Sequence, residues 1–176
     1  MNIMDVPVYV RLIAVLAMAV ALLCLILPFL NAPGDLYGLD GTAGVLDHWD
    51  IWKSKDPVTA IVYLFGDIVC HQQQSRSFIL NGSQTALCMR DLSIITGAVL
   101  GYIIIRLYSH VDICSRRILT ISGLFVLSAF SEWAIEGYMH VDSPEMRIIT
   151  GILAGIGLIS LLIAYYLNQS KKLMDV

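Results

Sequence analysis

The sequence predicts an all-α polytopic membrane protein: a four-transmembrane-helix bundle with an additional short helix, re-entrant or packed along the bundle, in its first outer loop. Three observations carry that expectation. Charged residues make up only 14% of the 176-residue chain and hydrophobic ones 57%, whereas a soluble domain carries about 25% charge. So little charge does not clothe a water-facing surface, which leaves lipid as the main solvent. Four apolar runs are also long enough, at about 1.5 Å per helical residue, to cross a hydrocarbon core of about 30 Å. Finally, the basic residues flanking those runs fall on one side under a single topology. The length allows one integral membrane domain, 1–176. A net charge of -3 without a basic stripe excludes a nucleic-acid partner from the reading.

The first span, about 12–30, reads "LIAVLAMAVALLCLILPFL". Its apolar run exceeds the roughly 7–15 residues of a signal peptide, and no small-x-small cleavage site precedes "NAPGD", so it is expected to stay uncleaved. Pro28 is tolerable near its end, where the freed carbonyl reaches the interface. The Gly/Asp-rich loop that follows holds Trp49 and Trp52, rings suited to a membrane interface. The short helix, about 57–70, starts well: Asp56 is an N-cap and Pro57 takes the first helical position. It is about a third too short to cross unaided. The remaining spans are expected at about 89–108, 118–135 and 147–167. Ser143, Pro144 and Glu145 form a good start for the last helix. Small-xxx-small patterns, "GAVLG" at Gly97 and Gly101 and "GILAG" at Gly151 and Gly155, point to close helix packing within the chain.

Charge sets the expected orientation. Arg11 precedes the first span, Arg116 and Arg117 the third, and Lys171 and Lys172 follow the fourth. Four spans with both termini cytoplasmic place all of them inside a multi-pass cell-membrane protein. A fifth span at 57–70 would put either Arg11 or the Arg116/Arg117 pair outside. The outer face then receives residues 31–88 and about 136–147.

That topology gathers the reactive side chains. Cys70, His71, Arg76, Cys88, Arg90, Asp91 and Arg147 come to the outer side, with Glu132 and Glu136 one turn apart on the third span and His140 and Asp142 just after it. Ionisable groups in or beside a span are costly and tend to mark function. Arg76, Arg90, Asp91 and Arg147 are the candidate ligand-binding set, arginine forks being suited to an anion. An alternative is an ion-pair network that only ties helix ends together. His71, Glu132 and Glu136 are the acid–base candidates. Cys70 and Cys88 leave three readings open: a disulfide, free thiols, or zinc held with a histidine (His71, His140 or His48), although no CxxC or HxxxH pair is present. Cys24 and Cys114 read as packing or reduced residues, and His48 and His110 as surface histidines. Asp67, in the short apolar helix, needs a partner, for which Arg76 and Arg90 are the candidates.

The stretches "CHQQQSRSF", "LCMRD" and "SPEMRIITGILAG" resemble an uncharacterised predicted-membrane-protein family, the domain of unknown function numbered 2085. Its pattern of Cys-His-Gln, Arg-Ser-Phe, a glycine and Cys-x-Arg falls on Cys70, His71, Gln72, Arg76, Ser77, Phe78, Gly82, Cys88 and Arg90. Arg147, Thr150 and Gly151 match the end of a later family stretch. This chain has Asp91 where the family commonly has a further cysteine, which weakens a metal site made of three thiols, and Glu132 to Gly137 matches an acid–glycine segment only loosely. The resemblance covers about 57–157 and implies a site, without an activity to transfer.

The expected function is therefore that of an integral membrane protein whose polar Cys/His/Arg/Glu site, at the outer face of the bundle, binds or acts on an anionic lipid-linked molecule. Membrane lipid, with an anionic lipid or small-molecule ligand, is the expected partner. The alternative is a structural or metal/disulfide-stabilised subunit of a membrane complex without catalysis of its own. Composition and motifs leave open whether the protein is an enzyme.

Overall fold

The computed structural model describes residues 8–108, 113–139 and 143–174. In chain order these form α1 (Val8–Leu30), α2 (Trp49–Trp52), α3 (Pro57–Val69), a 3-10 turn (Gln74–Arg76), β1 (Ser77–Leu80), β2 (Ser83–Cys88), α4 (Met89–Leu107), α5 (Arg116–Met139) and α6 (Pro144–Met174). Every expected helix is present, but the all-α expectation needs correction, because β1 and β2 pair as an antiparallel hairpin. Asn81 and Gly82 turn it with φ of 51° and 73°, the left-handed pair that a two-residue hairpin loop requires.

Among the described residues, three helices are long and apolar enough to cross a membrane: Val8–Leu30, Arg116–Met139 and the stretch Pro144–Gln169 of α6. Their outward faces carry exposed leucines, isoleucines and aromatics, among them Leu12, Leu16, Leu124, Phe130 and Leu158. α4 has the length, yet Arg90, Asp91 and Arg106 interrupt its 19 residues. A fourth crossing and a re-entrant α3 are therefore matters of proposal rather than of length and composition.

The chain divides into two compact units, whose boundaries fall within α1 after Met18 and within α4 after Leu92. The first contains α5, α6 and most of α4. Its core packs Val10, Ile113, Ile159, Ile163 and Leu167 together with Ala98, Tyr102 and Ile118. The small-xxx-small glycines serve this packing. A Cβ on Gly97 would come within 2.2 Å of the Ile152 carbonyl, and one on Gly155 within 2.1 Å of that of Ile94, so α4 and α6 lie backbone to backbone. Ser143 caps α6 by accepting the Met146 amide at 3.4 Å.

The second unit, 19–92, holds the small elements. Asp56 caps α3 as expected, accepting the amides of Val58 and Thr59 at 3.0 and 3.1 Å. α3 buries Thr59, Val62, Tyr63, Gly66 and Asp67, which recur at helical spacing on one face. Its other face exposes Val58, Ile61, Phe65, Ile68 and Val69. Trp52 departs from expectation: it is 1% exposed and packs on Tyr63, while Trp49 stays exposed.

Candidate functional site

In the second unit, one residue pair fixes how α3 meets β2. A Cβ on Gly66 would lie 2.1 Å from the Ala86 carbonyl oxygen, so only glycine lets the helix approach the strand this closely. Gln72 then ties the two together. It is fully buried with a positive φ of 45°, and its Nε2 donates to the carbonyls of Tyr63 and Ala86 at 2.9 and 3.0 Å. Gln84 Nε2 donates to the Gln72 carbonyl at 2.6 Å, and Tyr63 Oη donates to that of Gln84 at 2.6 Å. This clamp brings Cys70, the C-cap of α3, to Cys88, the last residue of β2.

The sulfurs of Cys70 and Cys88 and a carboxylate oxygen of Asp91 all lie within 4.8 Å of one another. Both cysteines are free thiols, with Cys70 buried and Cys88 half-buried. The Cys88 amide donates to Cys70 Sγ at 3.4 Å, and Cys88 Sγ donates to Asp91 Oδ2 at 3.1 Å. The Cys88 side chain beside it lowers the Cys70 pKa against the opposing effects of burial and of the Asp91 charge, with backbone amides adding to the lowering. Cys88 is raised by its contact with the Cys70 sulfur, by burial and by the Asp91 charge. Cys70 is thus the readier thiolate of the pair.

Asp67 finds its partners elsewhere than in arginine. Its carboxylate accepts Trp52 Nε1–H at 2.6 Å and the His48 amide at 3.3 Å, with His48 Nδ1 at 2.9 Å. The expected Arg76 or Arg90 is replaced by this pair, and His48 is half-buried rather than a plain surface residue.

The first unit carries the second cluster. Arg147 is 2% exposed and donates from Nη2 and Nε to the two oxygens of Glu136, at 2.6 and 3.3 Å, in a fork-on-carboxylate pair. Glu132 and Glu136, both buried, line a groove of about 270 Å³ with Ser128, Ser131, Ser143, Thr150, Ile135 and Met146. The hydroxyls are spoken for as donors. Ser128 donates to the Phe125 carbonyl at 2.7 Å, Ser131 to Leu127 at 2.9 Å, Thr150 to Met146 at 2.7 Å, and Ser143 to the Glu145 carboxylate at 3.2 Å. What they offer the groove is lone pairs.

The predicted site residues therefore fall into two sets. Cys70, Cys88 and Asp91 converge in one unit, and Glu132, Glu136 and Arg147 in the other. His71 has an exposed side chain beside Cys70, and Arg76 and Arg90 are half-buried. His140, Asp142 and His110 lie outside the described residues. Sequence reasoning assigned Asp91 to the arginines rather than the thiols, although its three-residue spacing from Cys88 across a helix start was a signal. It also missed Gly66, Gln72 and the serines, which carry no chemistry until placed in space.

The family model described as "Predicted membrane protein (DUF2085)" matches residues 70–161, just over half of the chain. The chain belongs to that family. The matched stretch of this DUF2085 member begins at Cys70 and takes in Cys88, Asp91, both groove glutamates and Arg147. An uncharacterised protein of Methanocaldococcus jannaschii is 24% identical over 128 residues, covering 70% of this chain and 78% of its own. No solved structure matches the chain. The family and the three apolar helices make this a membrane protein.

Proposed function

We propose that the groove at the connected ends of α5 and α6 binds the polar head of a membrane amphiphile, a head rich in hydrogen-bond donors. One observation carries this reading. The groove lining is apolar over nearly all of its accessible surface, and the few polar atoms set in it are carboxylate oxygens and hydroxyls whose protons are already given to helix carbonyls, so what little polarity it offers is acceptor. An ammonium or hydroxyl donor on an otherwise apolar molecule complements those few acceptors, whereas a bare anion would meet the carboxylates of Glu132 and Glu136. An anionic group on the same molecule would meet Arg147 only in company with Glu136. Ile135 and Met146, exposed apolar residues of the lining, offer a bed for the acyl or isoprenoid chain. If the bound molecule is transformed, Glu132 is the acid–base candidate, and Glu136, gripped by Arg147, holds the site in shape.

Native mass spectrometry of the detergent-purified protein tests the reading, with phosphatidylethanolamine, a glycosyl lipid and phosphatidylglycerol offered separately. The ethanolamine or glycosyl head should be retained in preference, and Glu132→Gln with Ser131→Ala should erase that preference while leaving the fold intact. Equal retention of all three lipids, unchanged in the variant, would sink the idea.

A further inference from the structure

We propose that Cys70, Cys88 and Asp91 are the protein ligands of a zinc-class divalent ion. This site is distinct in residues and chemistry from the α5–α6 groove. Geometry is the first support. Two sulfurs bound at about 2.3 Å to a tetrahedral centre sit about 3.8 Å apart, and a carboxylate oxygen at about 2.0–2.2 Å sits slightly closer to each. The three donors already lie within 4.8 Å of one another, so a small contraction suffices. The elements that bring them there are stiff: the α3 C-terminus held by the Gln72 clamp, the end of β2, and the first turn of α4.

Charge is the second support. Two thiolates and a carboxylate carry three negative charges against two positive ones on the ion. The excess lies where the structure can balance it, because Cys88 directly precedes α4 and Asp91 sits in its first turn, where the helix dipole favours anions. The Cys88 amide directed at Cys70 Sγ, 3.4 Å away, supplies an outer-sphere hydrogen bond to a bound thiolate. The donor set fits zinc: two soft thiolates with one oxygen, as against the all-oxygen shells of magnesium and calcium. On binding, the Cys70 and Cys88 thiol protons pass to solvent and two metal–sulfur bonds form, with no change in oxidation state. Three protein donors among the described residues leave the fourth position to water or an outside ligand, as in catalytic zinc sites.

The test uses the full chain, purified in detergent under reducing conditions and titrated with Co2+ as the spectroscopic probe, alongside zinc content per chain. The wild type should take up one ion with a thiolate-to-cobalt charge-transfer band and tetrahedral d–d absorption, both displaced by Zn2+. Cys70→Ser should lose the ion. Asp91→Ala should weaken binding by more than the about 10–100-fold that an outer-shell partner is worth. Asp91→Cys should keep the ion and strengthen the charge-transfer band, which a merely structural aspartate would not do. If reduced wild-type protein shows no charge-transfer band, or if Cys70→Ser binds as well as wild type, the site does not exist. A native mass short by two hydrogens, with no cobalt uptake after reduction, would likewise overturn it in favour of a Cys70–Cys88 disulfide.

Discussion

Arg147 and Glu136 show what a single buried residue is worth in this protein. Each is almost sealed from solvent, and the guanidinium forks onto both carboxylate oxygens. Removing one partner strands the other charge in a poorly polarisable surrounding, a loss of about 3–5 kcal/mol, whereas replacing both with apolar side chains of similar volume is often neutral. Arg147→Met should therefore lower the thermal midpoint in detergent sharply, and adding Glu136→Met should restore most of it. A double variant no better than the single one would show that Arg147 matters through other neighbours. Gly66 makes the complementary case, since its missing Cβ is what lets α3 touch β2. Gly66→Ala pushes a methyl against the Ala86 carbonyl and should cost about 1–3 kcal/mol as overpacking. Because the displaced strand ends at Cys88, cobalt affinity should fall together with the melting temperature. Unchanged affinity would mean that the thiol pair is positioned independently of this contact.

Helix α3 concentrates the element-scale physics. Its cap, Asp56, has its pKa lowered by the Thr59 hydroxyl hydrogen bond first and by backbone amides after it. A carboxyl group whose folded pKa is depressed contributes stability above its unfolded pKa, about 3.9, and loses it as pH falls through the lower folded value. Asp56→Ala should remove about 1 kcal/mol at neutral pH. The gap between variant and wild type should close in acid; a gap that persists below the folded value would show that the carboxylate is not the source. The cap was legible in the sequence because Asp56-Pro57 is a local signal with a local cause. So were the apolar helices, whose bounds moved by only a few residues at most ends. The hairpin was legible only at its turn, "NG" at Asn81 and Gly82, because β1 is four residues long and β2 is buried at nearly every position, without the alternation that marks a strand. The partners of Asp67 were illegible for a different reason. His48 and Trp52 are 19 and 15 residues away, at and within the short α2, whose return onto α3 no periodicity describes. The thiol–carboxylate cluster stands between these cases. Its cysteines announced themselves, but which third donor joins them depends on the strand-to-helix junction at Cys88 and Met89.

For the whole molecule, the number of crossings decides what either site faces, and parity makes that number measurable. Helices α1, α5 and α6 are long and apolar enough to span, while α4 carries three charges. Three crossings put the termini on opposite faces of the membrane, and four put them on the same face. Under three, with the amino terminus inside, Arg76, Arg90, Arg106, Arg116 and Arg117 would all lie outside, against the usual bias of basic residues toward the cytoplasm. Under four, Arg106, Arg116 and Arg117 return to the cytoplasmic side with Arg11, Lys171 and Lys172. α4 has the means to cross despite its charges. Arg90 and Asp91 fall in its first turn and Arg106 in its last, so in a crossing all three would sit at headgroup depth, with 14 uncharged residues, 92–105, between them. That run is short for a core of about 30 Å, but long side chains at both ends reach toward water and relieve part of the mismatch. In a crossing, the close α4–α6 packing through Gly97 and Gly155 would give it an apolar helical neighbour. Carboxy-terminal fusions to green fluorescent protein and to alkaline phosphatase separate the cases in bacterial cells, with an amino-terminal tag probed by protease for the other end. Four crossings predict a fluorescent fusion, an inactive phosphatase and a protected amino terminus. An active phosphatase with a protected amino terminus would make α4 a helix that does not cross.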